Sequence, residues 1–111
     1  MRPTAVVTVF LISAGKVAVV RRSARVGTYQ GLWSGISGYS EGDPDRQFRI
    51  ELAEETALTE DDYTLVRKAP PVAVTDSEQG REWIVYPFVC EAHHPERIRL
   101  DWENTELKWV K

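Results

Sequence analysis

Apolar residues fall in short runs along this chain, separated by turn-forming residues, and one stretch breaks that rhythm with helical spacing. Residues 5–12 and Lys16–Arg22 are β-branched runs joined by Ser13-Ala14-Gly15, a turn of hairpin length, and they predict two strands. Residues 23–31 read as a loop. Residues 32–39 are rich in Gly and Ser around Trp33 and Ile36, and predict one short strand whose backbone is closely approached by a neighbour. Gly42-Asp43-Pro44-Asp45 is a helix start, with a capping residue followed by Pro and Asp in the first turn. The predicted helix covers residues 45–57, with Phe48, Leu52 and Ala53 as the apolar set that packs on a sheet. Residues 59–62 form a turn. Residues 63–74 contain Pro70-Pro71, so the strand there breaks or runs at an edge. After a polar loop at residues 76–80, residues 83–92 are the strongest strand of the second half, with Trp83, Val85 and Tyr86 placing one face in the core. Residues 93–96 are a loop and residues 107–110 a last short strand. The sum is α+β, a mixed sheet with one strong helix in mid-chain.

The composition narrows what such a fold does. At 111 residues the chain is expected to be a single domain, and its 42% hydrophobic and 28% charged residues are those of a globular protein. A net charge of -3 without any basic cluster argues against nucleic acid as a partner, and no polybasic stretch argues for a membrane surface. The longest apolar run, residues 5–12, is too short to span a membrane and lacks the cleavage site of a signal peptide. Cys90 is the single cysteine and sits in an apolar run, where it reads as a small buried hydrophobe in a reducing, cytoplasmic setting.

Glu51-Leu52-Ala53-Glu54-Glu55 is the most informative stretch. On a helix Glu51, Glu54 and Glu55 stand at i, i+3 and i+4 and share a face, where like charges repel by roughly 0.2–0.5 kcal/mol per pair. An acidic helix face is ordinarily solvated and interleaved with Lys or Arg. Here no basic residue lies three or four positions from any of the three glutamates. An uncompensated carboxylate cluster is what a hard divalent cation needs; Mg2+ takes a few carboxylates, several waters and the oxygens of a phosphate substrate.

Here the sequence resembles the Nudix hydrolases, whose signature is G-x5-E-x7-R-E-U-x-E-E-x-G-U with U a bulky aliphatic residue. Residues 51–58 match its second half at every position but one. Val19-Val20-Arg21-Arg22-Ser23, Gly31-Leu32-Trp33, Ser37-Gly38-Tyr39-Ser40-Glu41-Gly42 and Glu106-Leu107-Lys108-Trp109-Val110 are similar to the family's second strand, tryptophan strand, glycine loop and closing strand. The resemblance implies a Nudix-like α/β/α sandwich and Mg2+-dependent (or Mn2+-dependent) hydrolysis of a nucleoside diphosphate linked to another moiety. By the same resemblance Glu51, Glu54 and Glu55 hold the metal, and Glu54 or Glu103 takes the proton of the attacking water. Arg21 or Arg22 lies near substrate phosphates, and Gly38 and Tyr39 belong to the substrate-binding loop. An alternative is a nucleotide-sensing domain of little activity that regulates a larger protein. Family members usually continue past the closing strand into a further helix. Its apparent absence here predicts either the N-terminal part of a longer, fused protein or a homodimer formed through the uncovered sheet.

The match has departures. Ile50 stands where the family has the Arg that orients the carboxylates, and Ala57 where it has Gly. Gly38 lies 13 residues before Glu51, two fewer than in the signature, which puts Gly42 at the position of the early Glu and leaves Glu41 or Asp43 to stand in for it. The candidates for orienting the carboxylates are then Arg46, one turn before Ile50, or water. Outside the box, adjacent His93 and His94 lack a partner at ligand spacing and read as solvated. Trp33 and Tyr39, flanking the glycine loop, suit either a stacked base or the core.

Overall fold

Thr4–Ser13 forms β1, the strand about which the sheet is organised. The computed structural model describes residues 3–111, with β1 followed by β2 (Lys16–Arg22), β3 (Trp33–Ser34), β4 (Ile36–Tyr39), α1 (Pro44–Thr56), β5 (Tyr63–Lys68), β6 (Val72–Asp76), β7 (Arg81–Ala92) and β8 (Asn104–Val110). Alternation along β1 buries Val7, Val9 and Leu11 completely and turns Val6 and Thr8 to the other face. One edge of β1 runs parallel to β7, from Thr4↔Trp83 to Ile12↔Glu91. Its other edge pairs antiparallel with β4 from Val6↔Tyr39 to Val9↔Ile36, and with β2 only at the hairpin, Ile12↔Val17 and Ser13↔Lys16. Beyond that hairpin β2 leaves β1 and pairs with β8 and β3. The sheet therefore has two arms that diverge from the β1–β2 hairpin.

This divergence explains why the single strand expected over residues 32–39 is in fact two. β3 belongs to the β2 arm and β4 to the β1 arm, and Gly35 is the corner between them. A Cβ on Gly35 would lie 2.9 Å from Thr8 Cγ2 and 3.0 Å from the Val9 carbonyl oxygen, so the corner admits no side chain. Pro70-Pro71 breaks the next segment as expected: β5 pairs with β7 as far as Lys68↔Phe88, and β6 resumes at Val72↔Val85. Pro87, which has no N–H to give, lies opposite that break. β6 reaches Asp76, β7 starts at Arg81 and β8 at Asn104, each longer than the hydrophobic pattern alone suggests.

Asp43 caps α1 through its side chain, which accepts from Asp45 N at 3.0 Å, and Pro44 opens the first turn. Phe48 stacks on Phe88 with ring centroids 4.3 Å apart and meets Tyr63 edge-on. With Leu52 it fixes the helix to the face of Val7, Val9 and Cys90; full burial of each such side chain stabilises by about 1.5–3 kcal/mol. Ala53, expected beside them, is exposed. The buried side of α1 is instead completed by Glu51, Glu55 and Thr56, because the helix lies with its acidic edge turned into the protein. The helix ends at Ala57, whose N–H reaches Ala53 O at 3.1 Å from a left-handed backbone, φ 63. Among the described residues α1 is the one α-helix, and no helix is long and apolar enough to cross a membrane.

Candidate functional site

The buried edge of α1 carries two carboxyl groups side by side. Glu55 is 1% exposed; its Oε1 accepts from Asn104 Nδ2 at 2.9 Å, and its Oε2 has no hydrogen-bond partner. Burial first, then the facing Glu51 carboxyl and the charge of Glu103, push the Glu55 carboxyl up to about 10. Glu51 is also buried and is likewise raised, chiefly by burial, while Gln47 Nε2 donates to its Oε1 at 3.1 Å. Gly38, at the end of β4, makes room for Glu51: a Cβ there would overlap the carboxylate.

Glu54 is exposed, so the three-glutamate face is split by burial, although the Glu54 charge still acts on Glu51 and Glu103. Glu103 comes from the loop before β8. Its N–H donates to Asp101 Oδ1 at 3.0 Å and its carbonyl accepts from Ser23 N at 2.8 Å, which anchors the loop on both sides. Its half-buried carboxyl is raised by burial and by Asp101 and Glu51, against a lowering by Arg22. Glu51, Glu55 and Glu103 thus lie close enough for their charges to act on one another, with the exposed Glu54 acting on Glu51 and Glu103 from outside.

Beside them opens a cleft of about 470 Å³, lined by Arg22, Gly38, Tyr39, Trp83, Trp102 and both Glu51 and Glu103. The two arginines of β2 part company. Arg22 faces the cleft and is held by Nε to Thr28 O at 3.0 Å, whereas Arg21 turns to Gly31 O and to Glu106 outside it. Tyr39 stacks on Trp83 at 6.3 Å. Trp83 Nε1 donates to Tyr29 OH at 3.1 Å, and Tyr29 OH donates to Asp76 Oδ2 at 2.6 Å. Trp83 faces this cleft while Tyr86, on the opposite face of β7, packs against the core. Trp33 also lines the cleft, with Lys108 Nζ 4.3 Å from its ring.

Some expectations are corrected. Arg46 is exposed, and among the described residues the donor that reaches Glu51 is Gln47. Asp43 is used as the helix cap, and neither it nor Glu41 lines the cleft. His93 and His94, read from the sequence as solvated, do lie at the surface: His93 pairs with Thr64 and His94 approaches Glu96, outside the lining of the cleft. Gln47 was legible in the sequence as the residue one turn before Glu51; Asn104, Tyr29 and Asp76 carry no local signal.

The NUDIX domain family profile matches residues 1–111. The chain belongs to the NUDIX domain family. Membership places this Nudix chain among hydrolases of diphosphate bonds. The fold agrees with solved structures. A MutT protein from Methanosarcina mazei Go1 superposes with TM-score 0.80 at 21% identity, covering 98% of this chain and 78% of that one. A NUDIX hydrolase from Nitrosomonas europaea gives TM-score 0.76 at 18% identity over 98% and 72% of the two chains. A C. elegans Ap4A hydrolase gives TM-score 0.73 at 17% identity over 100% and 80%. No curated protein sequence matches the chain.

Proposed function

We propose that this Nudix chain hydrolyses a nucleoside diphosphate linked to a further group, with Mg2+ or Mn2+ as cofactor. The observation that carries the reading is Glu55 Oε2, a buried carboxyl oxygen without a partner, beside the less deeply buried Glu51 and within reach of the charge of Glu103. Buried acidic groups of this kind require a proton or a cation to neutralise them. Among the described residues no three His, Cys, Asp or Glu side chains already stand in a ligating arrangement. The donor set is nevertheless all hard oxygen and fits Mg2+ or Mn2+. Glu51, Glu54 and Glu55 would hold the cation, the exposed Glu54 turning in from the rim. A bound cation would supply charge neutralisation on the diphosphate.

The chain's own residues supply the rest. Glu103 is better placed than Glu54 to take a proton from water, because it stands in the cleft wall with its carboxyl raised towards the working range of a general base. Arg22 donates to phosphate oxygens, to which a guanidinium is well matched. Tyr39, exposed and backed by the buried Trp83, offers a ring face to a base, and Gly38 keeps the passage to Glu51 open.

Ile50 in place of the box Arg favours a second reading, a nucleotide-sensing domain of little activity. Solved structures with this fold include a UDP-X diphosphatase and the NUDIX domain of Shewanella oneidensis NrtR complexed with ADP ribose, which sets the test panel. ADP-ribose, a UDP-sugar, a dinucleoside tetraphosphate and nucleoside triphosphates are incubated with Mg2+, Mn2+ or EDTA. Hydrolysis of at least one is expected, abolished by EDTA and reduced about 10-fold or more by Glu55→Gln. Binding without turnover would favour sensing, and neither binding nor turnover would overturn both readings.

A further inference from the structure

Two side-chain amides each give one N–H to one of the buried carboxyls. Gln47 donates to Glu51 Oε1 at 3.1 Å, and Asn104 donates to Glu55 Oε1 at 2.9 Å. The nitrogen side of each amide faces its carboxyl, and only that half of an amide can donate. The two donors come from different elements. Gln47 lies one turn earlier on α1. Asn104 opens β8 opposite Arg22, where the β2–β8 register shifts, and its side chain is buried. Such a bulge re-aims a side chain. Between them the amides hold one oxygen of each carboxyl and leave Glu55 Oε2 without a partner. Position 50, where the family box has Arg, is the half-buried Ile50.

We infer that Gln47 and Asn104 are positioning residues that together do what a guanidinium at position 50 would do, each fixing one carboxyl for the cation. This rests on the function proposed above. A neutral amide orients a carboxylate without adding a positive charge, so it fixes the ligand without repelling the cation that the ligand is to bind. Hydrogen bonds to metal-ligating groups are typically worth about 10–100-fold in metal affinity or activity.

The test reads Mn2+ affinity by electron paramagnetic resonance of the free ion, independently of turnover. Gln47→Ala and Asn104→Ala are each expected to weaken Mn2+ binding about 10-fold or more. In both, kcat falls in step while the substrate KM stays within about two-fold. Because Asn104 is buried, Asn104→Ser serves if the Ala variant does not fold; Gln47→Ala sits on a half-buried helix position that Ala suits. The double variant Gln47→Ala/Ile50→Arg is expected to recover Mn2+ affinity to within about three-fold of native, a recovery that a merely structural loss would not show. Native Mn2+ affinity in the folded single variants, or a Gln47→Ala loss that Ile50→Arg leaves unrepaired, would overturn this inference alone. A native chain that binds no Mn2+ would overturn it together with the proposed metal-dependent function.

Discussion

The Glu51 carboxylate occupies the space that a side chain on Gly38 would need. Gly38 is the last residue but one of β4 and Glu51 sits mid-helix, so the missing side chain lets α1 and β4 approach closely here. Gly38→Ala is therefore expected to push Glu51 off Gln47. The lost hydrogen bond costs about 1 kcal/mol, and divalent-ion affinity falls about 10-fold or more. Calorimetric Mn2+ titration with a parallel thermal melt checks this; a variant with native affinity would show that the close approach has no bearing on the site.

Stability without metal should depend on pH through Glu55. Its carboxyl is raised from 4.5 to about 10 in the folded chain, so the folded state holds a proton that the unfolded chain releases. The stability this proton provides is complete below the unfolded value and is lost as pH rises from there towards the folded one. Melting temperature in EDTA should fall steadily between about pH 5 and pH 9, and Glu55→Gln should flatten that slope and raise the melting temperature at the alkaline end. Parallel slopes in the native and variant proteins would rule out Glu55 as their source.

Ala57 carries a strain that the family's usual residue avoids. It holds φ 63 at the end of α1, a conformation that costs an L-residue with a Cβ roughly 1–2 kcal/mol. Ala57→Gly is expected to stabilise the chain by about 1 kcal/mol, the strain relieved less the extra backbone freedom of glycine when unfolded. Urea denaturation measures this directly, and a lower midpoint at unchanged slope would contradict it.

Tyr29 links the cleft wall to the β6–β7 turn. In Tyr29→Phe, Asp76 Oδ2 turns to water, whereas Nε1 of the buried Trp83 loses its partner, which costs about 1–3 kcal/mol of stability where that N–H stays dry. If the Trp83 ring helps to seat the base, KM should rise more than kcat falls. Steady-state kinetics on the substrate found in the panel decide this, and an effect confined to kcat would place Tyr29 in the chemical step instead.

What could be read from the sequence follows the range of the interactions concerned. Both ends of α1, the β1–β2 turn and the Pro70-Pro71 break depend on neighbours in the chain, and local chemistry gives them away. The acidic triplet 51–55 was equally visible, but not which of its members are buried, since that depends on how α1 rolls against the sheet. The division of residues 32–39 into β3 and β4 comes from the divergence of β1 and β2, which no window around Gly35 encodes. Asn104 meets Glu55 across 49 residues, and Tyr29 meets Asp76 across 47, so neither pairing has a periodicity to announce it.

The parallel pairing of β1 with β7 has a consequence for how the chain acquires its structure. Thr4 finds its partner at Trp83 and Ile12 at Glu91, so one edge of β1 stays unpaired until the chain has been made as far as β7. Closing so long a loop comes before any gain from the contacts it makes, which slows folding. During synthesis Val7, Val9 and Leu11 must wait on the ribosome with one strand edge open, a period in which a second nascent chain or a chaperone can reach the same backbone groups that β7 later takes.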